Sequence, residues 1–340
     1  MIYTKIINIE GDYMSLASEF IDLLTKAEYF WDKGDSVALL ILCEKKGSTY
    51  RKTGAKMIVS SSRESYGFIS GGCLENSLLE ISNEVINKRG PKIIEIDSND
   101  DSPWGLQLGC GGSVKIAIIP MLNENEIWRK VINLIKSQDT FYIGFDLTKG
   151  NHIITDKSNK LFHNKTGLTT YNKQTYFVEK IEPIEKLFIA GANDDVIPIV
   201  ELAKKIGFFV AIIDPREHFN NKSRFPFADK HIYSLDEIED GFLNHGWWLI
   251  MNHNLERDRI SLMKAVKVNS KFIGILGSNK RIDTLLSDFK EKPKNLYAPV
   301  GLNLAGDTVY EVAISIISQL IMLKNGGTEE SLNGKEKVHG

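Results

Sequence analysis

The stretch 186–214 constrains this chain more than any other. A short apolar strand, Lys186–Ala190, ends in Gly191; helical spacing follows at Val196, Ile199, Val200 and Leu202; a second apolar run, 208–213, ends in Asp214. Strand, glycine turn, helix and strand in that order form a βαβ unit, and its crossover makes the two strands parallel. The alternation continues, with an apolar run at 247–251 before a helix from about Leu255, and another at 271–276 before a helix from Lys280. Such a series predicts a doubly wound parallel sheet with helices on both faces.

The layout is Rossmann-like, since Asp214 lies about 20 residues past Gly191, where an acid would hold a ribose. Its phosphate turn departs from the dinucleotide pattern. Gly191-Ala192-Asn193-Asp194-Asp195-Val196 keeps only the first glycine of G-x-G-x-x-G, and Asn193 adds a side chain where a pyrophosphate needs close backbone approach. Asp194 and Asp195 place carboxylates at the positive end of the helix, which supports the helix and repels a phosphate. Pro198 is compatible only with a helix that starts just before it. Tight NAD(P) binding is therefore not expected unless a Mg²⁺ bridges the charges. Near the end of the chain, Thr308 and Glu311 read as a capping box ahead of a helix that turns Val312, Ile316 and Leu320 inward.

The first half has a different rhythm. Leu16, Phe20, Leu23, Leu24, Ala27 and Phe30 follow helical spacing. The continuous apolar run 37–43 reads as a strand covered on both faces, with Cys43 as a small buried hydrophobe. Further strands are expected at Lys56–Ser60, 66–70, 92–96 and 114–119, and a helix after Cys73 from Leu74, Leu78, Leu79, Ile81 and Val85. A helix over 124–137 leads to strand-like pieces at 141–145, 152–155 and 175–179, which read as additions to the first sheet. The organisation expected is α/β: a mixed-sheet N-terminal domain (1–183), a Rossmann-like doubly wound parallel sheet (184–325), and a polar tail (326–340) expected to be disordered.

Three loops of the first half carry chemistry-bearing residues. Gly47-Ser48-Thr49-Tyr50-Arg51 is glycine-bounded, hydroxyl-rich and basic, suited to an anion, though a solvated hairpin turn accounts for it equally. Gly71-Gly72-Cys73-Leu74-Glu75 sets a thiol at a helix start, where the dipole favours thiolate; a tight strand-to-helix turn is the plainer reading. Leu108-Gly109-Cys110-Gly111-Gly112 surrounds a second thiol with glycines, fitting close backbone approach to a ligand or a β-bulge. Beyond the strands of the second half, His253 is placed to orient an anion or shuttle a proton, or to serve as an ordinary loop histidine. Gly277 and Ser278 sit at the next strand end, and Arg281 suits an oxyanion or the surface.

A net charge of −2 argues against nucleic acid as the main partner. No apolar run reaches the roughly 18 residues of a membrane span, and the start Met1-Ile2-Tyr3-Thr4-Lys5 lacks secretory features. Three cysteines point to free thiols in a reducing compartment, so a cytoplasmic location is expected. Their spacing has no C-x-x-C, which disfavours a zinc site.

On GSTYRKTGAKM, GGCLE and LGCGG, spread over residues 37–120, the chain resembles the XdhC/CoxI family, accessory proteins of molybdenum-containing xanthine and carbon monoxide dehydrogenases. The resemblance extends over 186–322, through FIAGANDDVIPIVELAKKIGFFVAIIDPRE, Met251-Asn252-His253-Asn254 with Asp258, Gly274-Ile275-Leu276-Gly277-Ser278 with Arg281, and Pro299-Val300-Gly301-Leu302. Tyr50 stands where that family often has proline, Asn303 where aspartate is usual, and Gln319 where glutamate is common.

The resemblance implies a chaperone that binds molybdenum cofactor (molybdopterin) between its domains and delivers it to a xanthine-dehydrogenase-type apoenzyme. Gly47, Ser48, Arg51, Gly71, Gly72, Cys73, Glu75, Gly109, Cys110 and Gly111 are its cofactor-binding residues by that reading, joined by Gly191, Asp214, Gly277, Ser278 and Arg281. Cys73 and Cys110 would ligate molybdenum or carry sulfur, with a cysteine desulfurase as a candidate second partner; a homodimer is left open. A maturation chaperone is favoured over a catalyst. The alternative is an NAD(P)-dependent Rossmann oxidoreductase. A purely structural adaptor leaves the two glycine–cysteine loops unexplained.

Overall fold

A computed structural model describes residues 16–47, 51–69, 75–97, 113–123, 126–136, 140–156, 166–287 and 289–334. Chain contacts group them into two units, one built on Leu16–Pro183 and one on Ile184–Ser331.

The first unit runs α1 (Leu16–Asp32), β1 (Val37–Lys46), β2 (Lys56–Ser60), β3 (Ser65–Gly67), α2 (Glu75–Lys88), β4 (Lys92–Asp97), β5 (Ser113–Met121) and α3 (Ile127–Lys136). It continues with β6 (Phe141–Asp146), β7 (Ile153–Thr155), β8 (Gly167–Tyr171) and β9 (Gln174–Ile181). Strand β1 is apolar at every position over its first seven residues because both of its faces are covered. Ala38, Leu40 and Leu42 pack with Leu78 and Val85 of α2. Leu39, Ile41 and Cys43 alternate with them and are equally buried. Helix α1 buries Phe20, Leu23, Leu24, Ala27 and Phe30, and Phe20 meets Phe145 of β6 edge to face at 6.1 Å.

The described strands of this unit form two sheets, β3-β2-β1-β5-β4 and β7-β6-β9-β8. Every pairing in them is antiparallel, a refinement of the mixed sheet expected. The pieces after 140 do not extend the first sheet, which corrects the reading of 141–145, 152–155 and 175–179 as additions to it. The physical reason is that β6 is buried along its whole length and so takes an interior place, between β7 and β9, rather than an edge. Strand β8 escaped the sequence reading because its burial alternates and two of its five residues are exposed. Its signal was the turn Asn172-Lys173, both at positive φ (49° and 62°), which joins the Tyr171↔Gln174 pair as a two-residue hairpin.

An ion pair joins the two sheets. Lys56 Nζ of β2 lies 2.8 Å from Oε1 and 2.6 Å from Oε2 of Glu179 on β9, with both side chains 2% exposed. Nζ also donates to the Gly54 carbonyl at 3.0 Å and sits 4.9 Å from the Phe20 ring centre. At the far end of β6, the buried Asp146 carboxylate accepts the backbone N–H groups of Thr148, Lys149 and Asn151 and so shapes the β6–β7 turn. His152 closes that turn by accepting the Asp146 N–H on Nδ1 at 3.1 Å, packed against Trp128 and Phe145.

The second unit contains β10 (Lys186–Ala190), α4 (Val196–Lys205), β11 (Phe209–Ile213), β12 (Lys230–Ile232), α5 (Asp240–Leu243) and β13 (Trp247–Ile250). Then come α6 (Leu255–Lys267), β14 (Phe272–Ile275), α7 (Asn279–Leu286), β15 (Leu296–Tyr297) and α8 (Val309–Asn325). The strands lie in the order β12-β11-β10-β13-β14-β15, all parallel. Counted within the unit this is 3-2-1-4-5-6, the doubly wound order with its reversal between β10 and β13. Leu187 and Ile189 face the layer of α4 and α8, while Phe188 faces that of α6 and α7. The capping box at Thr308 and Glu311 is formed as read, Ile316 and Leu320 are buried, and Gly326 ends α8 in the left-handed region at φ 67°. Residues 326–334 follow as turn, bend and irregular segments.

Replacing Lys56 by Met leaves Glu179 buried without its cation and is expected to cost about 3–5 kcal/mol in urea unfolding, whereas Lys56→Met with Glu179→Leu should recover most of it. Burial pushes the His152 imidazole down to about 4, against the opposing pull of Asp146. A depressed histidine pKa contributes stability that is full above the unfolded value of 6.5 and is lost as pH falls toward 4. Unfolding midpoints should therefore drop over that interval, and His152→Gln should flatten that part of the profile.

Candidate functional site

The register of the first sheet decides where its loops go. Strand β1 ends at Lys46 opposite Ser113, the first residue of β5, and Asp97, the last of β4, pairs with the same Ser113. Lys56 opens β2 beside Ile41, and Met57 pairs with Gly67, the last residue of β3. The ends of β1, β3 and β4 and the starts of β2 and β5 thus share one end of the sheet. The three motif-bearing connections, 47–55, 68–74 and 98–112, all leave from that end.

Ser48, Gly71, Gly72, Cys73, Gly109, Cys110 and Gly111 lie outside the described residues. Gly47 adopts φ 77°, a conformation that favours glycine, immediately after β1. Glu75 is the first residue of α2, so that helix starts directly after the Gly71–Cys73 motif. Arg51 is described, and its Nη2 donates to Glu19 Oε1 of α1 at 2.5 Å, with the two side chains 16% and 18% exposed. Its guanidinium lies 4.6 Å from the ring centre of Phe68, which follows β3 and leads into the Gly71-Gly72-Cys73 loop. Glu19 and Phe68 were invisible to motif reading, because neither belongs to a motif and Glu19 precedes Arg51 by 32 positions. Cys43 is a different kind of thiol: it is buried, bonds the Ile41 carbonyl at 3.4 Å, and burial pushes its pKa up to about 12. It stays protonated and inert.

The carboxyl edge of the second sheet gathers the remaining predicted residues. Gly191 sits at φ 128°, and a Cβ there would lie 2.5 Å from the Met251 carbonyl oxygen, so the glycine is required by the neighbouring strand end. Asp214 is fully buried. Its Oδ1 accepts the Arg216 backbone N–H and Nε at 2.9 Å each, and its Oδ2 accepts Nη2 at 2.7 Å. Burial pushes its pKa up, but the hydrogen bonds and charge of Arg216 outweigh that and hold the carboxyl below its ordinary value.

Two arginines from the segment after β11 clamp the turn after β10. Arg216 also reaches Asn193 Oδ1 at 3.2 Å; Arg224 pairs with Asp194 and donates to the Ala192 carbonyl at 3.0 Å. Their guanidinium groups lie 4.5 and 4.9 Å from the Phe219 ring centre. Asp195 caps α4 in position without a side-chain cap bond, and its Oδ2 is 2.8 Å from His253 Nε2. This pair spans the point where the strand order reverses. Next to it, Asn252 donates its N–H and Nδ2 to Asp258 Oδ1 at 3.0 Å each, and Arg281 Nε donates to Asp258 Oδ2 at 3.0 Å. A Cβ on Gly277 would stand 3.1 Å from Arg281 Cδ, so the glycine leaves room for that side chain. Ser278 is the N-cap of α7 and makes no side-chain cap bond. The arginines here were legible only in part: Arg216 lies two residues past the expected acid, while Arg224 carries no local signal.

Among the described residues no group of three or more His, Cys, Asp or Glu is arranged to hold a metal ion, and no helix is long and apolar enough to cross a membrane. The two units define a class: an α/β protein that joins an antiparallel domain, with its motif loops leaving one sheet end, to a Rossmann-order domain whose turn after β10 is held by Arg216 and Arg224. The description "XdhC Rossmann domain" matches residues 187–320, and "XdhC and CoxI family" matches residues 30–97. A protein of Bacillus subtilis described as a probable xanthine dehydrogenase subunit is 27% identical over 312 residues, spanning 85% of this chain and 94% of that protein. The molybdenum cofactor insertion chaperone PaoD of Escherichia coli is 22% identical over 305 residues, spanning 88% and 86%. A crystal structure described as a xanthine dehydrogenase from Bacillus halodurans superposes with a TM-score of 0.77 at 26% identity, over 92% of this chain and 98% of that one. The chain belongs to the XdhC and CoxI family.

Gly191→Ala would force a Cβ against the Met251 carbonyl and a side chain into a glycine conformation, and should lower stability by on the order of 2–3 kcal/mol in chemical denaturation.

Proposed function

We propose that this protein binds molybdenum cofactor at the loop-bearing end of its first sheet and delivers it to a molybdenum hydroxylase of the xanthine dehydrogenase type. The observation that carries the reading is the shared exit of the three motif loops, which supports one site drawing on Arg51, Cys73 and Cys110 together. The donor set fits the cargo. A guanidinium and glycine N–H groups suit the phosphate of molybdopterin, and thiolates suit a soft metal centre or a transferable sulfur. The names of the Bacillus subtilis and Escherichia coli relatives support the same cargo and client. Free thiols at work in this way belong to a reducing, cytoplasmic setting. Sulfur supply by a cysteine desulfurase is part of the same proposal.

An NAD(P)-dependent oxidoreductase is disfavoured by the second unit, where Arg216 covers Asp214 and Arg224 holds Asp194 at the turn. Titration with NADH followed by its fluorescence should show no micromolar binding.

The protein should co-purify with molybdenum and pterin from a cofactor-producing host, measured by metal analysis and by fluorescence of the oxidised pterin. Cys73→Ala with Cys110→Ala should lose most of both. Parent protein free of molybdenum and pterin would overturn the reading, and a double variant that binds as tightly as the parent would remove the thiols from it.

A further inference from the structure

Arg51 is the only candidate anion ligand of the first unit whose side chain is among the described residues, and its setting is unusual for a loop arginine. The loop that carries it runs from Gly47 to Gly54, both at positive φ (77° and 94°). The guanidinium is held on one side by Glu19 of α1 at 2.5 Å and lies over Phe68 at 4.6 Å. Phe68 lies three residues before Gly71 in the chain, so the ring ties the cation to the strand end from which the Gly71-Gly72-Cys73 connection departs. Below it, Lys56 and Glu179 form the buried ion pair, and Lys56 Nζ is tied to the carbonyl of Gly54 at the end of the same loop.

We propose that Glu19 is a positioning residue for cofactor binding: it orients Arg51, across Phe68, toward the anionic group of the cofactor at the loop-bearing sheet end. The inference rests on the binding reading given above and adds a residue to it that belongs to none of the sequence motifs. Glu19 itself does not touch the cargo in this arrangement, since a carboxylate facing a phosphate would repel it. Its effect is exerted through the guanidinium, which a carboxylate can hold in one plane by a charge-assisted hydrogen bond.

Burial raises the pKa of Glu19, and the nearby Arg51 and Lys56 do not cancel that rise. Exchanging Glu19 for Gln keeps the shape and leaves an oxygen that Arg51 can still reach, while removing the charge that holds the guanidinium, so it separates orientation from packing.

The test is a double-mutant cycle in the full chain, with molybdopterin-containing cofactor released from a molybdenum enzyme as the probe. Affinity is read by fluorescence of the bound pterin, and the thermal midpoint of each protein is recorded alongside. Glu19→Gln should weaken binding about tenfold, as loss of an orienting partner does at metal sites, while a cooperative thermal transition shows that the variant still folds. Arg51→Ala should weaken binding at least as much, and adding Glu19→Gln to Arg51→Ala should weaken it no further. Full additivity of the two changes, or parent-like affinity of Glu19→Gln, would overturn the positioning role. Parent-like affinity of Arg51→Ala would remove Arg51 from the site, and the inference with it, while leaving the cofactor reading standing. A parent protein that fails to bind the probe would overturn the cofactor reading itself.

Discussion

The buried pair of Lys56 and Glu179 is the interaction on which the architecture of the first unit turns. Two full charges out of water cost several kcal/mol each unless they are paired and hydrogen-bonded. Here Lys56 meets both carboxylate oxygens and the Gly54 carbonyl as well. Lys56 opens β2 of the first sheet and Glu179 lies in β9 of the second, so the pair sets where one sheet stands on the other. Because its third bond anchors the end of the 47–55 loop, it also sets where Arg51 emerges. Burial, pairing and loop placement are one constraint.

The antiparallel order of the first sheet decides where its connections leave. In an antiparallel sheet alternate connections leave from the same end, and here those connections are the ones rich in glycine and cysteine. Connections that are far apart in sequence therefore leave the sheet at the same end. The parallel sheet of the second unit follows the other general rule, in which ligands bind beyond the carboxyl ends of the strands where the order reverses. At that edge the acids are engaged within the chain: Asp214 with Arg216, Asp194 with Arg224 and Asp258 with Arg281 as ion pairs, and Asp195 with His253 by a hydrogen bond.

Gln319 shows how a departure from family habit is absorbed. Its side chain is nearly buried in α8 and its Oε1 accepts the N–H of Gly301 at 2.8 Å. That is a neutral acceptor meeting a neutral donor, a role in which an amide serves without the cost of a buried carboxylate.

Hydrophobic period was enough to read most helices and central strands, because burial on one stripe, or on both faces, leaves a pattern in consecutive residues. It revealed β1, β10, β11, β13 and β14, the broken nucleotide turn, and Cys43 as a core residue. It did not reveal β8, β12 or β15, which are short or half exposed and lack a full period. It also assigned β6, β7 and β9 to the first sheet rather than to a sheet of their own, since strand pairing is a choice among distant segments. The candidate site divides along the same line. The sequence by itself determined which residues are candidates to bind an anion or a soft metal: Arg51, Cys73 and Cys110, each named by side-chain chemistry and neighbouring glycines. Only the tertiary structure decided that their loops leave one sheet end, that Glu19 and Phe68 hold Arg51, and that Asp214 and Arg281 are already engaged. Those facts depend on register and on contacts across tens of residues, where pairing and desolvation are settled by packing and leave no local trace.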